Sequence, residues 1–195
     1  MPSTDRRPAL YQSYDLAAAI VSAVSPEVLE APTPCPEYNV ATLVGHLVGA
    51  GHRAAALGRG EAPTADSFPQ VELADAPAQL RQAGDAARLA WDNEESLSAL
   101  VQMPWGESYN GSTLVDMYLA ELATHTWDLA VATGHLERLD EELAIPALQG
   151  ARAMLKPEYR NMMGQGNPYG SEVPAPEDAG AWERLAAFMG RSPRP

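Results

Sequence analysis

An all-α fold, a bundle of four long helices with a short additional helix near the C-terminal end, is what this sequence predicts, on three observations. Apolar residues recur at spacings of three and four through four long segments, the period of a helix with one buried face. No stretch of any length alternates with the period of two that a half-buried strand needs. Clusters of Gly, Pro, Asn and Asp separate the periodic segments and supply their caps and stops. The chain has 195 residues, 46% of them apolar, with no internal repeat and no compositional break, so the expectation is one domain spanning 1–195.

The first helix is read over residues 10–24, where Leu10, Tyr14, Ala17, Ile20, Val21 and Val24 share a face. Four prolines in SPEVLEAPTPCPEYN exclude its continuation. Asn39 then caps a second helix over residues 40–57, closed by Gly58 and Gly60. Residues 58–76 read as an irregular excursion. A third helix follows over 77–101, carried by Leu80, Ala83, Ala87, Leu89, Ala90, Leu97 and Leu100. The segment QMPWGESYNGS interrupts, with room for a short extended piece. Ser112 or Thr113 caps a fourth helix that runs to Ala132 and stops at Gly134. A further helix is read over 140–155, with Pro146 inside its N-terminal part. A loop rich in Gly, Pro and Met and the short helix AWERLAAFMG complete the chain.

Charge and cysteine usage narrow the function classes. The net charge is −13, from 13 basic and 26 acidic side chains, which repels phosphate backbones and anionic membrane surfaces. Neither nucleic acid nor membrane is an expected partner. The longest apolar run, LAAAIVSAV, is too short to span a bilayer, and no apolar segment of signal-peptide type follows the charges of MPSTDRRPAL. Cys35 is the single cysteine, which excludes an internal disulfide and a thiolate-rich zinc site. The expectation is a cytoplasmic protein, a monomer or a homodimer.

The chemistry concentrates on the fourth helix. Its apolar stripe is Leu114, Met117, Tyr118, Leu122 and Leu129, and Glu121 and His125 fall inside it. Their β-carbons should then lie roughly 5–6 Å apart, one turn along an inward face. A carboxylate buried alone costs several kcal/mol, so Glu121 needs an imidazole, an arginine or a metal ion as partner. Asp128, seven residues on, lies near the same face and is read as orienting His125 or holding the bundle, with the structural role preferred. His46 flanks the stripe of Leu43, Leu47 and Ala50 on the second helix, between Gly45 and Gly49, which admit a close neighbour. His52 lies roughly 120° further round and cannot share an ion with it, and His135, after Gly134, is expected to be exposed. The economical constellation is therefore His46 with Glu121 and His125: two imidazoles and a carboxylate, leaving coordination positions open as catalytic sites do. A polar contact without any metal remains the competing reading. Cys35 is read as a small buried residue, since no base for a nucleophile there can be placed. Trp105, Trp127, Tyr118 and Phe188 are read as core, and Met154, Met162 and Met163 as gap-filling residues or a pocket lining.

Three blocks carry a family resemblance: TPCPEYNVATLVGHLVG at 33–49, MYLAELATHTWDLAVATG at 117–134 and YGSEVPAPEDAGAWERLAAFMGRSP at 169–193. Together and in this order they resemble DinB-like proteins related to the N-terminal domain of mycothiol-dependent maleylpyruvate isomerase, typical of actinobacteria, with AFMGRSP pointing to short single-domain members. The resemblance implies a DinB-like four-helix bundle holding a divalent metal. Carried over by position, His46 is the first ligand, Glu121 the carboxylate and His125 the second imidazole. Zinc is the metal expected first, with nickel or iron as alternatives.

The resemblance also implies an enzyme that uses a low-molecular-weight thiol, mycothiol-like, against an electrophilic small molecule, as a transferase or isomerase. The reacting species would be a metal-bound thiol or water at His46, Glu121 and His125. The sequence runs to Pro195 without the isomerase's additional C-terminal domain, so maleylpyruvate itself is not the expected substrate. The loop at 161–170 is the expected determinant of specificity. The rival reading is a non-catalytic bundle that binds a metal or a small molecule. An iron oxygenase using the same donor set is weaker, because nothing points to a cosubstrate acid.

Overall fold

The computed structural model describes residues 5–61, 69–103, 106–157, 160 and 169–194. Within them the helices are α1 (Arg7–Val21), α2 (Val40–Gly58), α3 (Ala76–Trp91), α4 (Glu94–Ser98), α5 (Gly111–Thr133), α6 (Glu141–Met154) and α7 (Ala181–Phe188). Two three-residue strands, β1 (Leu100–Gln102) and β2 (Ser108–Asn110), lie between α4 and α5.

Side-chain caps set most of these boundaries. The Asn39 carboxamide accepts from the Thr42 amide at 2.9 Å and starts α2 as expected. α1 runs over 7–21 rather than 10–24, because Pro8 sits in the first turn, where its missing N–H costs nothing. α3 stops at Trp91 rather than near residue 101. Asn93 Oδ1 accepts from the Glu95 amide at 2.9 Å and begins a new helix there. Leu100 consequently leaves the helical stripe and is 75% exposed in β1. β1 and β2 form an antiparallel pair, with Val101 opposite Tyr109. Asn110, not Ser112 or Thr113, caps α5: its Oδ1 accepts from the Thr113 amide at 2.9 Å and from both neighbouring hydroxyls. Gly134, at φ 73°, ends that helix in the left-handed conformation. Asp140 caps α6, which continues through Pro146 to Met154.

The bundle is a ring in which α1 packs on α3, α3 on α2, α2 on α5 and α5 back on α1. α6 covers the outer side of α5, and α7 packs on α6. α5 is therefore buried almost all round, and the single stripe expected for it is too narrow a description. From Leu122 to Ala130 every residue is buried. Close approaches knit the ring. The Tyr14 hydroxyl donates to the Gly51 carbonyl at 2.8 Å, and a Cβ on Gly51 would lie 2.9 Å from the Tyr14 ring. The Trp91 indole donates to the Ala54 carbonyl at 3.0 Å. Near the start of α5, one terminal nitrogen of Arg6 donates to both Asp116 carboxylate oxygens, at 2.8 and 3.0 Å. No helix among the described residues is long and apolar enough to cross a membrane.

Candidate metal centre

Two helices of the ring and two loops converge on one polar cluster. His46 projects from α2, and Glu121 and His125 project from α5 one turn apart. Ligand atoms of the three lie within 4.8 Å of one another. His46 is 4% exposed and His125 1%, while Glu121 is half-buried. The juxtaposition depends on a close approach beside His46, since a Cβ on Gly45 would lie 2.6 Å from the Pro69 carbonyl oxygen. Gly45 thus makes room for backbone at residue 69 and not for another helix.

Hydrogen bonds and burial together bias the charges of the cluster. His46 Nε2 lies 2.9 Å from Glu121 Oε1 and donates to it. The Tyr169 hydroxyl donates to the other carboxylate oxygen, Oε2, at 2.7 Å. Burial works against ionisation of Glu121, but the His46 hydrogen bond, the two imidazoles and Tyr169 outweigh it and hold the carboxyl well below its usual range. For His46 burial is the stronger influence and lowers the pKa against the pull of Glu121, which favours the neutral ring. A neutral imidazole and an ionised carboxylate are the charge states that ligate a cation, and the ring nitrogen that takes the cation is one that carries no proton.

Asp128 does both of the things considered for it. His125 Nδ1 donates to Asp128 Oδ2 at 3.0 Å, leaving Nε2 as the nitrogen without this bond. Arg191 grips the same carboxylate through Nε to Oδ1 at 3.2 Å and a terminal nitrogen to Oδ2 at 3.0 Å. Burial opposes ionisation of Asp128, and the partners His125 and Arg191 outweigh it, lowering its pKa. Arg191 reaches the core because Gly190, at φ 83°, turns the chain back after α7 and lets the Arg191 amide bond the Ala186 carbonyl at 2.9 Å.

The proline-rich turn before α2 covers the cluster. Thr33 organises that turn by donating to the Tyr38 carbonyl at 2.7 Å and accepting from the Cys35 amide at 3.2 Å. Tyr38 then lies over the imidazoles, 5.0 Å from the His46 ring centre and 5.8 Å from that of His125. Burial pushes its hydroxyl up to about 12. Cys35, 2% exposed, sits beside His125 and Asp128, whose ligand atoms come within 4.8 Å of its sulfur. A base is therefore near it. Burial nevertheless pushes the thiol pKa up, and His125 Nδ1 and both Asp128 oxygens are already engaged, so the small-buried-residue reading stands.

The remaining expectations sort by position. His52 is exposed and outside the cluster. His135 is half-buried rather than exposed, because its Nε2 donates to the Ala23 carbonyl at 3.1 Å. Trp127, Tyr118, Phe188 and Met154 belong to the core. Trp105, Met162, Met163 and positions 161–168 of the expected specificity loop lie outside the described residues. Tyr38, Tyr169 and Arg191 were not singled out from the sequence, although all three stand inside the quoted blocks at 33–49 and 169–193.

The donor set suits a divalent cation of zinc type. Zn–N and Zn–O bonds are about 2.0–2.2 Å, so ligands sharing an ion lie within about 3–4 Å of one another. Atoms already inside 4.8 Å close that gap by side-chain rotation. An all-α bundle with two imidazoles and a carboxylate converging between its helices defines the class of protein. Its family follows from comparison: the model of the mycothiol maleylpyruvate isomerase N-terminal domain matches residues 12–130, more than half of the chain, and the chain belongs to that family. Two Mycobacterium tuberculosis proteins, uncharacterized protein Rv0738 (strain ATCC 25618 / H37Rv) and uncharacterized protein MT0763 (strain CDC 1551 / Oshkosh), are each 33% identical over 183 residues. These cover 94% of this chain and 96% of the relative. No solved structure matches.

Proposed function

We propose that this protein is a divalent-metal-dependent enzyme that activates a low-molecular-weight thiol, of the mycothiol type its family name carries, for S-transfer to an electrophile or thiol-assisted isomerisation of one. The observation that carries the reading is the convergence of His46, Glu121 and His125 within 4.8 Å in a largely buried setting. These three residues would hold the cation, zinc before nickel or iron. When bound, such an ion supplies Lewis acidity that favours the thiolate form of a thiol at neutral pH.

The chain's own residues do the rest. Asp128 takes the Nδ1 proton of His125 in a hydrogen bond and so presents Nε2 to the cluster. Arg191 balances the charge of Asp128 in the interior. Tyr169 fixes the orientation of Glu121. Tyr38 lies across both imidazoles and keeps bulk water from that side. The cytoplasm, with its pool of reduced thiols, is the compartment this reading requires.

The test is metal content by elemental analysis of wild type and His46→Ala, both purified without a histidine tag, followed by mycothiol-dependent turnover of a panel of electrophiles. About one metal per chain in the wild type, lost in the variant, with turnover only when thiol is added, is the expected result. Metal without turnover would favour a binding protein instead. No metal after soaking with zinc would reduce the cluster to a buried polar contact.

A further inference from the structure

Tyr169 and Arg191, the side chains that hold the carboxylates of the cluster, belong to one piece of structure. Residues 169–173 run beside the C-terminal turn of α7 in the opposite direction. The Val173 amide donates to the Ala187 carbonyl at 3.0 Å. Gly170 lies against Gly190, so closely that a Cβ on Gly190 would stand 2.6 Å from the Gly170 Cα. Tyr169 adjoins the first of these glycines and Arg191 the second. From there Tyr169 donates to Glu121 and Arg191 to Asp128, carboxylates two turns and about 10 Å apart along α5.

Arg160 ties the two sides of this clasp together. One of its terminal nitrogens donates to the Gly170 carbonyl and the other to the Phe188 carbonyl, each at 2.6 Å. The guanidinium also lies over the Phe188 ring, 4.5 Å from the ring centre. A guanidinium presents its donors in a rigid plane, so it can hold two carbonyls at a set separation, which a flexible ammonium does less well. Both of these bonds go to backbone. What they join are the two short stretches that carry Tyr169 and Arg191.

We infer that Arg160 is a positioning residue for both carboxylates: by locking Gly170 to the α7 turn it sets Tyr169 on Glu121 and Arg191 on Asp128 together. The inference rests on reading His46, Glu121 and His125 as the metal centre. It adds that Glu121 and His125 are not oriented independently. Tyr169 fixes the facing of the Glu121 carboxylate, and Asp128, held by Arg191, fixes the His125 ring. A cation needs both donors aligned at once, so loosening the clasp weakens the site at two ligands.

The experiment measures zinc affinity, by competition with a chromophoric chelator, in wild type, Arg160→Gln, Tyr169→Phe and the double variant. Long-range proton–nitrogen NMR of the imidazoles in the metal-free proteins accompanies it. Arg160→Gln should raise the zinc Kd about tenfold, and Arg160→Lys should recover part of the loss. The double variant should fall well short of the product of the two single effects, because Arg160 acts partly through Tyr169. Without metal, the His46 Nε2 and His125 Nδ1 proton signals should both weaken in Arg160→Gln, at a temperature where its circular dichroism equals that of wild type. Should Arg160→Gln fail to fold, Gly170→Ala decides, since its Cβ would lie 3.3 Å from the Gly190 carbonyl oxygen and wedge the clasp with Arg160 in place. A smaller rise in Kd is expected there. Single effects that multiply in the double variant, or a response of one imidazole signal alone, would overturn the inference. A wild type that binds no zinc, with both signals still weakened in Arg160→Gln, keeps the clasp and removes the metal reading. Equal zinc affinity and unchanged signals in Arg160→Gln, with only a lower melting temperature, keep the metal site and remove the clasp.

Discussion

His125 Nδ1 lies 3.0 Å from Asp128 Oδ2, less than one turn further along α5, and this bond determines which imidazole nitrogen is left to face His46 and Glu121. The Asp128 carboxylate is in turn held by Arg191 from beyond α7, so the tautomer of a residue in the ring is fixed from the far end of the chain. Asp128→Asn removes the charge that balances Arg191 and leaves a buried guanidinium unmatched. The expected outcome is a loss of about 3–5 kcal/mol in stability by denaturant titration. Zinc affinity, measured by competition with a chromophoric chelator, should also fall about 10–100-fold.

Zinc should stabilise the fold. At a free concentration of about 100 times Kd, binding to the native state alone contributes about 2.7 kcal/mol. For a chain of this size that corresponds to a rise in Tm of about 5–10 °C. A thermal melt with and without a chelator reads the effect, and His46→Ala should abolish it while leaving the helical circular dichroism signal in place.

Gly190→Ala tests how Arg191 is placed. Gly190 has φ 83°, and a Cβ there would lie 2.6 Å from the Gly170 Cα. The left-handed backbone alone costs about 1 kcal/mol for a residue with a side chain, and relief of the contact would displace the turn. A destabilisation of about 1–3 kcal/mol is expected, together with weaker zinc binding, because the same turn delivers Arg191 to Asp128. A variant destabilised by this amount with unchanged zinc affinity would show that the turn and the cluster are independent.

The cap on α5 is open to the same kind of measurement. Asn110 Oδ1 accepts from the Thr113 amide and from the hydroxyls of Ser112 and Thr113. Asn110→Ala should cost about 1 kcal/mol, read as a shift in the urea midpoint without a change in slope. Ser112→Ala should cost clearly less, since that hydroxyl is not the cap.

Cys35 should be inert in the native protein. It is 2% exposed and burial pushes its pKa up, so its thiolate fraction stays small until the pH passes above the ordinary thiol range, near 8.5. Alkylation by iodoacetamide at pH 8 should be slow in the folded protein and fast in denaturant. Fast native alkylation would mean that the Thr33–Tyr38 turn opens readily.

Much of this molecule was legible in its sequence because helices are written locally. The three-and-four spacing, the cap at Asn39 and the stop at Gly134 depend on residues within one or two turns, and each lies where the sequence places it. So does the facing of Glu121 and His125, since side chains one turn apart on a helix share a face whatever surrounds them. The errors also have local causes. The break at Asn93 and the cap at Asn110 turn on short polar side chains bonding backbone amides two and three residues on, which apolar periodicity does not register.

What the sequence by itself determined is therefore the all-α bundle and the residues of α2 and α5 that face its interior. Only the tertiary structure decided which distant groups complete the cluster: Tyr38 from the proline-rich turn, Tyr169 on Glu121 and Arg191 on Asp128. Arg191 and Asp128 are 63 residues apart. Nothing in helical periodicity relates positions so distant. They meet because a buried carboxylate is costly unless matched, and the turn at Gly190 is what brings the matching charge into the interior.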